Sequence, residues 1–353
     1  MKNKKNNKKK ILAVTGGAGF LGCHLCNELS KKYDKIYVID IEPIKKHEYP
    51  KNVIAFKQDI RDHKNLVKIF SKVDEVIHAA AALPLWKKKE IFSTNVKGTK
   101  SVLDAAVKNN IKKVVFISST SVYGIPKKHP IYETDPLVGV GSYGESKIRA
   151  EKLCTDYRKK GIFIPIIRPK SFIGTRRMGV FQILYDWVES GTKIPIIGNG
   201  KNRYQLLEVE DLVNAIYLAL NSKKGNDTFN IAAERFETVY KDVNALCKFA
   251  NTASRPLPFP SWFVIPLLEV CWALRISPLY RWIYGTACKD SFVSIDKAKK
   301  ILKWKPKYSN ADALIRSYKW YLKHKNEILS NKSGITHTVP WKQGILKLAK
   351  IIL

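Results

Sequence analysis

Short apolar runs alternate with segments of helical periodicity along the first half of the chain. Five runs of strand length come before residue 118. In the segments between them, apolar residues recur at helical spacing, as Leu21, Leu25 and Leu29 do every four residues. This alternation predicts an α/β fold with a doubly wound parallel sheet. The predicted strands are residues 11–14, 36–40, 53–56, 73–82 and 114–117, and the longest helical patterns are residues 91–109 and 142–157.

A glycine-rich turn joins the first predicted strand to the first predicted helix, and residues 15–22 read TGGAGFLG. Gly16 permits a tight turn, Gly19 lets a pyrophosphate approach the backbone, and Gly22 lets the helix pack on the strand. The helix N-terminus offers N–H groups and a positive dipole end to phosphates. The turn therefore predicts a dinucleotide site with contacts from Gly16, Gly19, Phe20, Leu21 and Gly22.

An acidic residue closes the second predicted strand, about 20 residues beyond the turn. The Asp40 carboxylate can hydrogen-bond both ribose hydroxyls of a dinucleotide, and it repels the 2′-phosphate of NADP. Lys45 and Lys46 follow in the chain and would favour that phosphate. We expect Asp40 to outweigh the two lysines, which makes NAD the predicted cofactor.

Two more strand ends are expected to contact this cofactor. Asp59 follows the third strand, where it can accept a hydrogen bond from the adenine amino group, cap the helix predicted at residues 66–70, or do both. Small side chains after the fourth strand would let the cofactor lie against the backbone, and they include Ala79 and Ala80.

The chemistry is predicted at the end of the fifth strand and in the helix that follows it. Residues 118–124 read SSTSVYG, and Tyr143 and Lys147 lie four residues apart on one helix face. A phenol has a pKa of about 10, which a neighbouring ammonium and a nicotinamide cation both lower. Tyr143 can then act as a general acid/base, while a serine at the strand end holds the substrate oxygen.

The formal net charge of +33 over 353 residues would by itself suggest a nucleic acid or an anionic membrane as partner. The lysines are scattered, whereas nucleic-acid binding usually concentrates arginine and aromatic residues in one patch. We therefore expect no nucleic-acid partner. The dense basic run at residues 1–10 is predicted to be a disordered arm, and it lacks the apolar segment of a secretory signal.

The cysteines indicate neither a disulfide framework nor a metal site. Cys23 and Cys26 have the C-x-x-C spacing, but they lie on the first predicted helix and no second pair accompanies them. We interpret them as small core residues and expect no metal. The scattered cysteines suit a reducing cytosol, so a cytoplasmic protein is predicted.

Together these motifs resemble the extended short-chain dehydrogenase/reductase family, also called the NAD-dependent epimerase/dehydratase family, over roughly residues 11–325. The resemblance also rests on His78, Asn95, and Arg168-Pro169 with Gly174. It implies a Rossmann domain with a smaller C-terminal substrate lobe, and it makes Ser119 the catalytic Ser/Thr with Thr120 as second choice. Beyond the residues already named, the implied cofactor contacts are Ile60, Asn95, Ser118, Tyr143, Lys147 and Pro169.

The domain organisation that we expect follows from this resemblance. The predicted parts are a basic arm at 1–10, an NAD-binding domain at 11–175 to which 205–232 returns, a substrate lobe at 176–204 and 233–325, and a linker with an amphipathic tail at 326–353.

Departures from the family pattern bear on the substrate. Sugar-nucleotide 4,6-dehydratases place Asp-Glu directly after the catalytic Ser/Thr, where this chain has Thr120 and Ser121, so we exclude that elimination. Tyr204 stands where nucleotide-sugar epimerases commonly carry arginine, and Ser171 stands where asparagine is common. The candidate substrate contacts, which include arginines that can bind phosphates, are Thr120, Ser171, Arg176, Arg177, Arg203 and Tyr204.

Two apolar stretches of the C-terminal part each allow two interpretations. Residues 257–284 form either the core of the substrate lobe or an apolar lid or membrane-facing surface, as in the hydroxysteroid dehydrogenase branch of the family. The tail is predicted to lie in a membrane interface, or to dock on the protein itself or on a second subunit. Its apolar face consists of Trp341, Ile345, Leu348 and Ile352.

We therefore predict an NAD-dependent oxidoreductase or epimerase that exchanges a hydride at a secondary alcohol or ketone carbon. A nucleotide sugar is the leading substrate on family grounds, and a steroid or long-chain keto lipid is the alternative. A non-catalytic NAD-sensing protein is a second alternative, against which the complete set of Ser119, Tyr143 and Lys147 argues. A homodimer and peripheral contact with an anionic membrane are also expected.

Overall fold

The computed structural model describes residues 10–176, 178–274, 281–330 and 350. The chain divides into two compact units. Unit 1 comprises Met1–Val122, Leu137–Arg168 and Val213–Phe229, and unit 2 comprises Tyr123–Pro136, Pro169–Leu212 and Asn230–Leu353. The domain boundaries given by the sequence remain a prediction.

The five strands expected from the apolar runs are confirmed as the first five strands of the structure, although the fourth is limited to Glu75–His78. In chain order the strands are β1 (Ile11–Thr15), β2 (Lys35–Asp40), β3 (Val53–Lys57), β4 (Glu75–His78), β5 (Lys113–Ile117), β6 (Ile166–Pro169), β7 (Phe172–Ile173), β8 (Ile194–Ile197), β9 (Leu207–Glu208), β10 (Thr228–Ile231) and β11 (Pro256–Phe259).

The helical pattern over residues 91–109 is not one continuous α-helix, because a π-helical segment, Ser93–Gly98, interrupts it. The α-helices are α1 (Phe20–Leu29), α2 (His63–Phe70), α3 (Lys88–Phe92), α4 (Thr99–Lys108), α5 (Gly141–Lys159), α6 (Phe181–Glu189), α7 (Val209–Asn221), α8 (Val239–Ala250), α9 (Ser261–Ala273), α10 (Arg281–Thr286), α11 (Asp296–Leu302) and α12 (Asn310–Ser330).

Seven strands form the central sheet, in the order β10-β6-β5-β4-β1-β2-β3. The pairings of β1 with β2 and with β4 are parallel, as are those of β2 with β3 and of β5 with β4 and β6. The chain adds strands first on one side of β1 and then on the other, which is the predicted doubly wound topology. Dinucleotides bind outside the carboxyl ends of the strands where this order reverses, here β1 and β4.

The core of unit 1 explains why its strands read as nearly unbroken apolar runs. All four residues of β4 and the last four of β5 are buried, as parallel strands with helices on both faces require. Cys23 and Cys26 are fully buried on α1. Their interpretation as small core residues is therefore confirmed.

Unit 2 is built around helices and two small sheets. β8 pairs with β11 and β7 pairs with β9, both in parallel. A hydrophobic cluster packs among α6, α8 and α12, and its largest buried members are Tyr185, Trp187, Tyr318 and Tyr321.

The apolar stretch at residues 257–284 does not pack as a core throughout. Of the residues of α9, all of which the structure describes, only Leu268 and Cys271 are buried. Trp262 is 77% exposed and Val270 is 57% exposed. For α9 the core interpretation is wrong, and the interpretation as an apolar surface fits.

Several sequence predictions lie outside the described residues, namely the basic arm before Lys10, Arg177, and the tail apart from Lys350. The Lys350 ammonium forms an ion pair with Asp186 at 2.5 Å. Such a contact suits a tail that docks on the protein, whereas the apolar face of the tail is not described. Among the helices that the structure does describe, none has the length and apolarity needed to cross a bilayer.

Candidate active site

The glycine turn after β1 has a geometry that side chains would block. Gly16 has a φ of +70°, and a Cβ there would lie 2.7 Å from the backbone of Ala80. A Cβ on Gly22 would lie 2.3 Å from the carbonyl oxygen of Gly16. Within the described residues, no side chain caps the start of α1. The turn is therefore a backbone cradle that fits the pyrophosphate of a dinucleotide.

Gly19, Phe20 and Leu21 follow the turn at the start of α1. Gly19 is the N-cap residue of α1. The side chains of Phe20 and Leu21 are buried in the protein. Their predicted contacts with a cofactor would therefore use backbone amide groups.

The Asp40 carboxylate lies at the end of β2, against the glycine turn. Its oxygens accept hydrogen bonds of 3.0 Å from the backbone N–H groups of Ala18 and Glu42. Burial raises the pKa of Asp40, and these backbone hydrogen bonds oppose that rise. The carboxylate is held beside the turn, where the ribose of a dinucleotide is expected.

Asp59 has a different partner from the two that the sequence suggested. The Arg61 guanidinium pairs with both carboxylate oxygens at 2.6–3.0 Å, and its hydrogen bonds lower the pKa of Asp59. Asp62 caps α2 instead, because its carboxylate accepts a hydrogen bond from the N–H of Asn65. The helix-cap interpretation of Asp59 is wrong, and its contact with adenine remains a prediction.

We expect NAD to bind at least about tenfold more tightly than NADP, because a 2′-phosphate would meet the Asp40 carboxylate. Asp40→Asn removes the charge and should narrow this preference. Asp59→Asn is the matched control and should leave the preference for NAD unchanged, because the adenine that Asp59 is predicted to contact is the same in both dinucleotides and Arg61 keeps its ion pair with Glu90. Calorimetric titration of each protein with both dinucleotides measures the effect. Equal or tighter NADP binding by the unmodified chain would show that Lys45 or Lys46 outweighs Asp40.

Asn95 and Ile60 hold elements together around the predicted cofactor site. The Asn95 side chain accepts a hydrogen bond from the N–H of Ala82 and donates to the carbonyl of Ala82 and to Ser146 Oγ. Both of its amide protons are therefore used inside the protein, and Asn95 positions the π-helical segment against α5. The side chain of Ile60 packs directly against Gly98, because a Cβ added to Gly98 would lie only 2.6 Å from Ile60 Cδ1.

The structure defines the hydrogen-bond partners and the protonation state of His78, which the sequence did not predict. Its Nδ1 lies 2.7 Å from Thr15 Oγ1, and its Nε2 lies 3.0 Å from Thr99 Oγ1. Thr99 donates its hydroxyl proton to the carbonyl of Asn95, so it accepts from the Nε2–H of His78. Burial, together with the charge of Lys147, lowers the pKa of His78 to about 3. The imidazole therefore stays neutral and adds no positive charge near Lys147.

Tyr143 and Lys147 share one face of α5, as their spacing predicts. The Lys147 ammonium donates a 2.9 Å hydrogen bond to the carbonyl of Ile117, the last residue of β5. It also lies 5.8 Å from the centre of the Tyr143 ring. Burial lowers the pKa of Lys147 to about 8. The end of the strand thus fixes the ammonium close to the phenol.

The turn after β5 carries Ser119 and Thr120 and packs on the start of α5. Gly144 permits this close approach, because a Cβ there would lie 2.6 Å from the carbonyl oxygen of Ser121. The N–H of Ser121 donates to Ser119 Oγ at 3.1 Å, which orients that hydroxyl. The structure thus sets an oriented serine on a turn that packs against the first turn of the helix that carries Tyr143.

A buried ion pair behind these residues was not predicted from the sequence. Glu151 lies four residues after Lys147 on α5, and Arg168 on β6 binds its carboxylate with contacts of 2.6 and 2.9 Å. Ser118 donates its hydroxyl proton to the same carboxylate at 2.5 Å. The hydroxyl proton of Ser118 is therefore used inside the protein, and the contact of Ser118 with the cofactor remains a prediction. This cluster ties α5 to the ends of β5 and β6.

The predicted substrate residues Ser171 and Tyr204 meet within unit 2. Their hydroxyl oxygens lie 3.1 Å apart, and burial raises the pKa of Tyr204. Lys170, which the sequence did not single out, donates to Ser291 Oγ at 2.7 Å and lies 4.7 Å from the Tyr204 ring centre. Burial lowers the pKa of Lys170 to about 7. In the described part of the chain this amine has no acidic partner, and only part of it is charged at neutral pH, so an anionic group bound beside it would favour the ammonium form.

Three further residues that the sequence predicts as substrate or cofactor contacts are Arg203, Arg176 and Pro169. Arg203 is exposed, and its guanidinium lies 4.6 and 4.8 Å from the ring centres of Phe236 and Phe292. Arg176 is partly buried and has a φ of +75°. Pro169 is the last residue of β6, and its backbone contact with the nicotinamide remains a prediction.

Comparisons with known proteins show which family, which relatives and which solved structure this chain is similar to. The model of a family described as the NAD dependent epimerase/dehydratase family matches residues 12–232. An uncharacterized protein, y4nG, of Sinorhizobium fredii is 35% identical over an alignment that covers 96% of this chain and 85% of that protein. A UDP-glucose 4-epimerase of Lactobacillus helveticus is 30% identical, with 89% and 98% covered. The crystal structure of a UDP-glucose 4-epimerase with UDP-glucose from Thermotoga maritima has a TM-score of 0.75 at 25% identity, with 89% and 99% covered.

Proposed function

Because the chain belongs to the NAD dependent epimerase/dehydratase family, we propose that it exchanges a hydride between NAD and a secondary alcohol or ketone carbon of a nucleotide sugar. The family assignment confirms the predictions of a Rossmann-type fold, of an enzyme and of NAD as cofactor. The alternative of a non-catalytic NAD-sensing protein is therefore set aside.

The fixed position of Lys147 beside Tyr143 carries the proposal. An ammonium at 5.8 Å from the ring centre favours the phenolate, so Tyr143 can take the proton of a substrate hydroxyl and later return it to that oxygen. Ser119 would hold the same oxygen through its oriented hydroxyl. When bound in the glycine cradle, NAD supplies the hydride acceptor and donor.

Two observations support a nucleotide sugar as the substrate. Relatives that match 89% of the chain include UDP-glucose 4-epimerases. In addition, the Arg203 guanidinium and the ammonium form of Lys170 offer positive charge in unit 2, which can serve a diphosphate in place of the arginine that Tyr204 replaces.

A hydrophobic alcohol or ketone, such as a steroid or a long-chain keto lipid, is the second candidate. Two features favour it. Tyr204 is partly buried and hydrogen-bonded to Ser171, so this position offers no positive charge to a diphosphate. Unit 2 also carries the exposed apolar helix α9.

Incubation of the full chain with NAD and a panel of UDP-hexoses tests the proposal. We expect nuclear magnetic resonance to show conversion of one of them to its epimer without net consumption of NAD. A parallel arm supplies a 3β-hydroxysteroid and a 3-hydroxy fatty acyl compound and measures NADH. NADH formation in that arm, with every nucleotide sugar unchanged, would replace the proposal by the second candidate. Mass spectrometry of ligands that co-purify with the chain gives an independent reading.

A further inference from the structure

Helix α9 presents an uncharged apolar face to solvent. At 100° per residue its exposed large side chains, except Trp272, fall within an arc of about 140°, opposite the buried Leu268 and Cys271. Glu269, the one charged residue of α9, is partly buried and lies outside that arc. The exposed large residues on α9 and directly after it are Trp262, Phe263, Leu267, Val270, Trp272 and Leu274.

A continuous apolar face of this kind marks a site of interaction, because soluble proteins rarely leave such patches uncovered. The net charge of the chain decides between two occupants. With +33 on each copy, the net charge opposes contact with a second copy at this face, whereas it favours contact with an anionic surface. Each lysine near an anionic membrane contributes on the order of 1 kcal/mol, and salt screens that attraction.

The shape of the helix fits a lipid surface. α9 has 13 residues and is about 20 Å long, too short to cross a bilayer but suited to lie in its interface. Trp262 lies on the exposed arc near the start of the helix, and tryptophan prefers the boundary between acyl chains and headgroups. We propose that α9 inserts its exposed face into the interface of an anionic lipid bilayer and holds the enzyme there as a peripheral protein.

Co-sedimentation of the full chain with vesicles tests this proposal, which goes beyond the proposed function and does not depend on it. The vesicles consist of phosphatidylcholine with or without phosphatidylglycerol, each at low and high salt. The expected result is binding to the anionic vesicles that weakens but persists at high salt, because burial of apolar side chains is not screened.

The decisive comparison uses two double variants that remove exposed apolar side chains without a change of charge. Trp262→Gln with Val270→Gln should lower the partition into anionic vesicles by about tenfold or more, at both salt concentrations. The matched control, Val107→Gln with Val138→Gln, should bind like the unmodified chain. All four positions are at least 45% exposed, so both variants should keep the original Tm.

Three results would overturn the proposal. The first is equal vesicle binding by both double variants, and the second is equal binding to vesicles with and without phosphatidylglycerol. The third is the absence of vesicle binding, and a dimer that only the α9 variant loses would then identify a second copy as the occupant. Sedimentation velocity of the same proteins measures their oligomeric state.

Discussion

Tyr143→Phe should lower the rate of hydride exchange by about 10²–10⁴-fold, the usual contribution of a general acid/base. The phenylalanine keeps the ring beside Lys147 and removes only the hydroxyl that passes the proton. The fold and the affinity for NAD should therefore stay unchanged. Turnover of the substrate found in the panel, together with calorimetric titration of NAD, measures both quantities.

Tyr240→Phe is the matched control for this prediction. Tyr240 is an exposed tyrosine on α8, so loss of its hydroxyl should leave turnover unaffected. A Tyr143→Phe variant that keeps most of its activity would remove Tyr143 from the proton relay. A variant that loses NAD binding as well would show that the hydroxyl has a binding role instead.

Glu151→Ala should lower the free energy of unfolding by about 3–5 kcal/mol, because it leaves the buried Arg168 charge without its carboxylate. Arg168 and Glu151 are each 5% exposed, so water cannot replace the lost partner. The same change frees the Ser118 hydroxyl and loosens α5 from the end of β5. Urea unfolding followed by circular dichroism measures the loss.

The control for this change lies on the same helix. Glu145 and Arg149 form an ion pair at 2.6 Å, but their side chains are 46% and 59% exposed. Glu145→Ala should therefore cost only about 0.3–0.5 kcal/mol, the usual value of an exposed pair on a helix. Similar losses in the two variants would contradict the role that we give to the buried cluster.

Features that depend on a short stretch of sequence could be predicted. The glycine turn, Asp40 at a strand end, and Tyr143 four residues before Lys147 each involve local geometry, which spacing determines. The parallel sheet followed from the alternation of apolar runs with helical patterns, because buried parallel strands need apolar residues on both faces.

Partners that are distant in the sequence could not be predicted in the same way. Ser118 pairs with Glu151 across 33 residues, and Arg168 joins them from another strand. For Asp59 a strand-end position suggested a ligand, whereas Arg61, only two residues later, takes up its charge. The helix α9 is apolar all round, so its sequence could not tell a buried helix from an exposed one.

The homodimer, the cytoplasmic location and the membrane role of the tail remain predictions from the sequence. The Lys350–Asp186 ion pair bears on the last of these, because it ties the tail to unit 2 at one point. Deletion of residues 340–353 in the vesicle experiment separates the tail from α9. If α9 is the anchor, the truncated chain should still bind the anionic vesicles at high salt.

The fate of the hydrogen on the reacting carbon tests the central claim most directly. UDP-glucose deuterated at C4, or whichever labelled nucleotide sugar the panel identifies, is incubated with the full chain and NAD in ordinary water. If the chain moves a hydride to NAD and back, the epimer should form with its deuterium retained at that carbon. Protium from the solvent at that carbon, or an epimer formed equally fast by the Tyr143→Phe variant, would contradict the account.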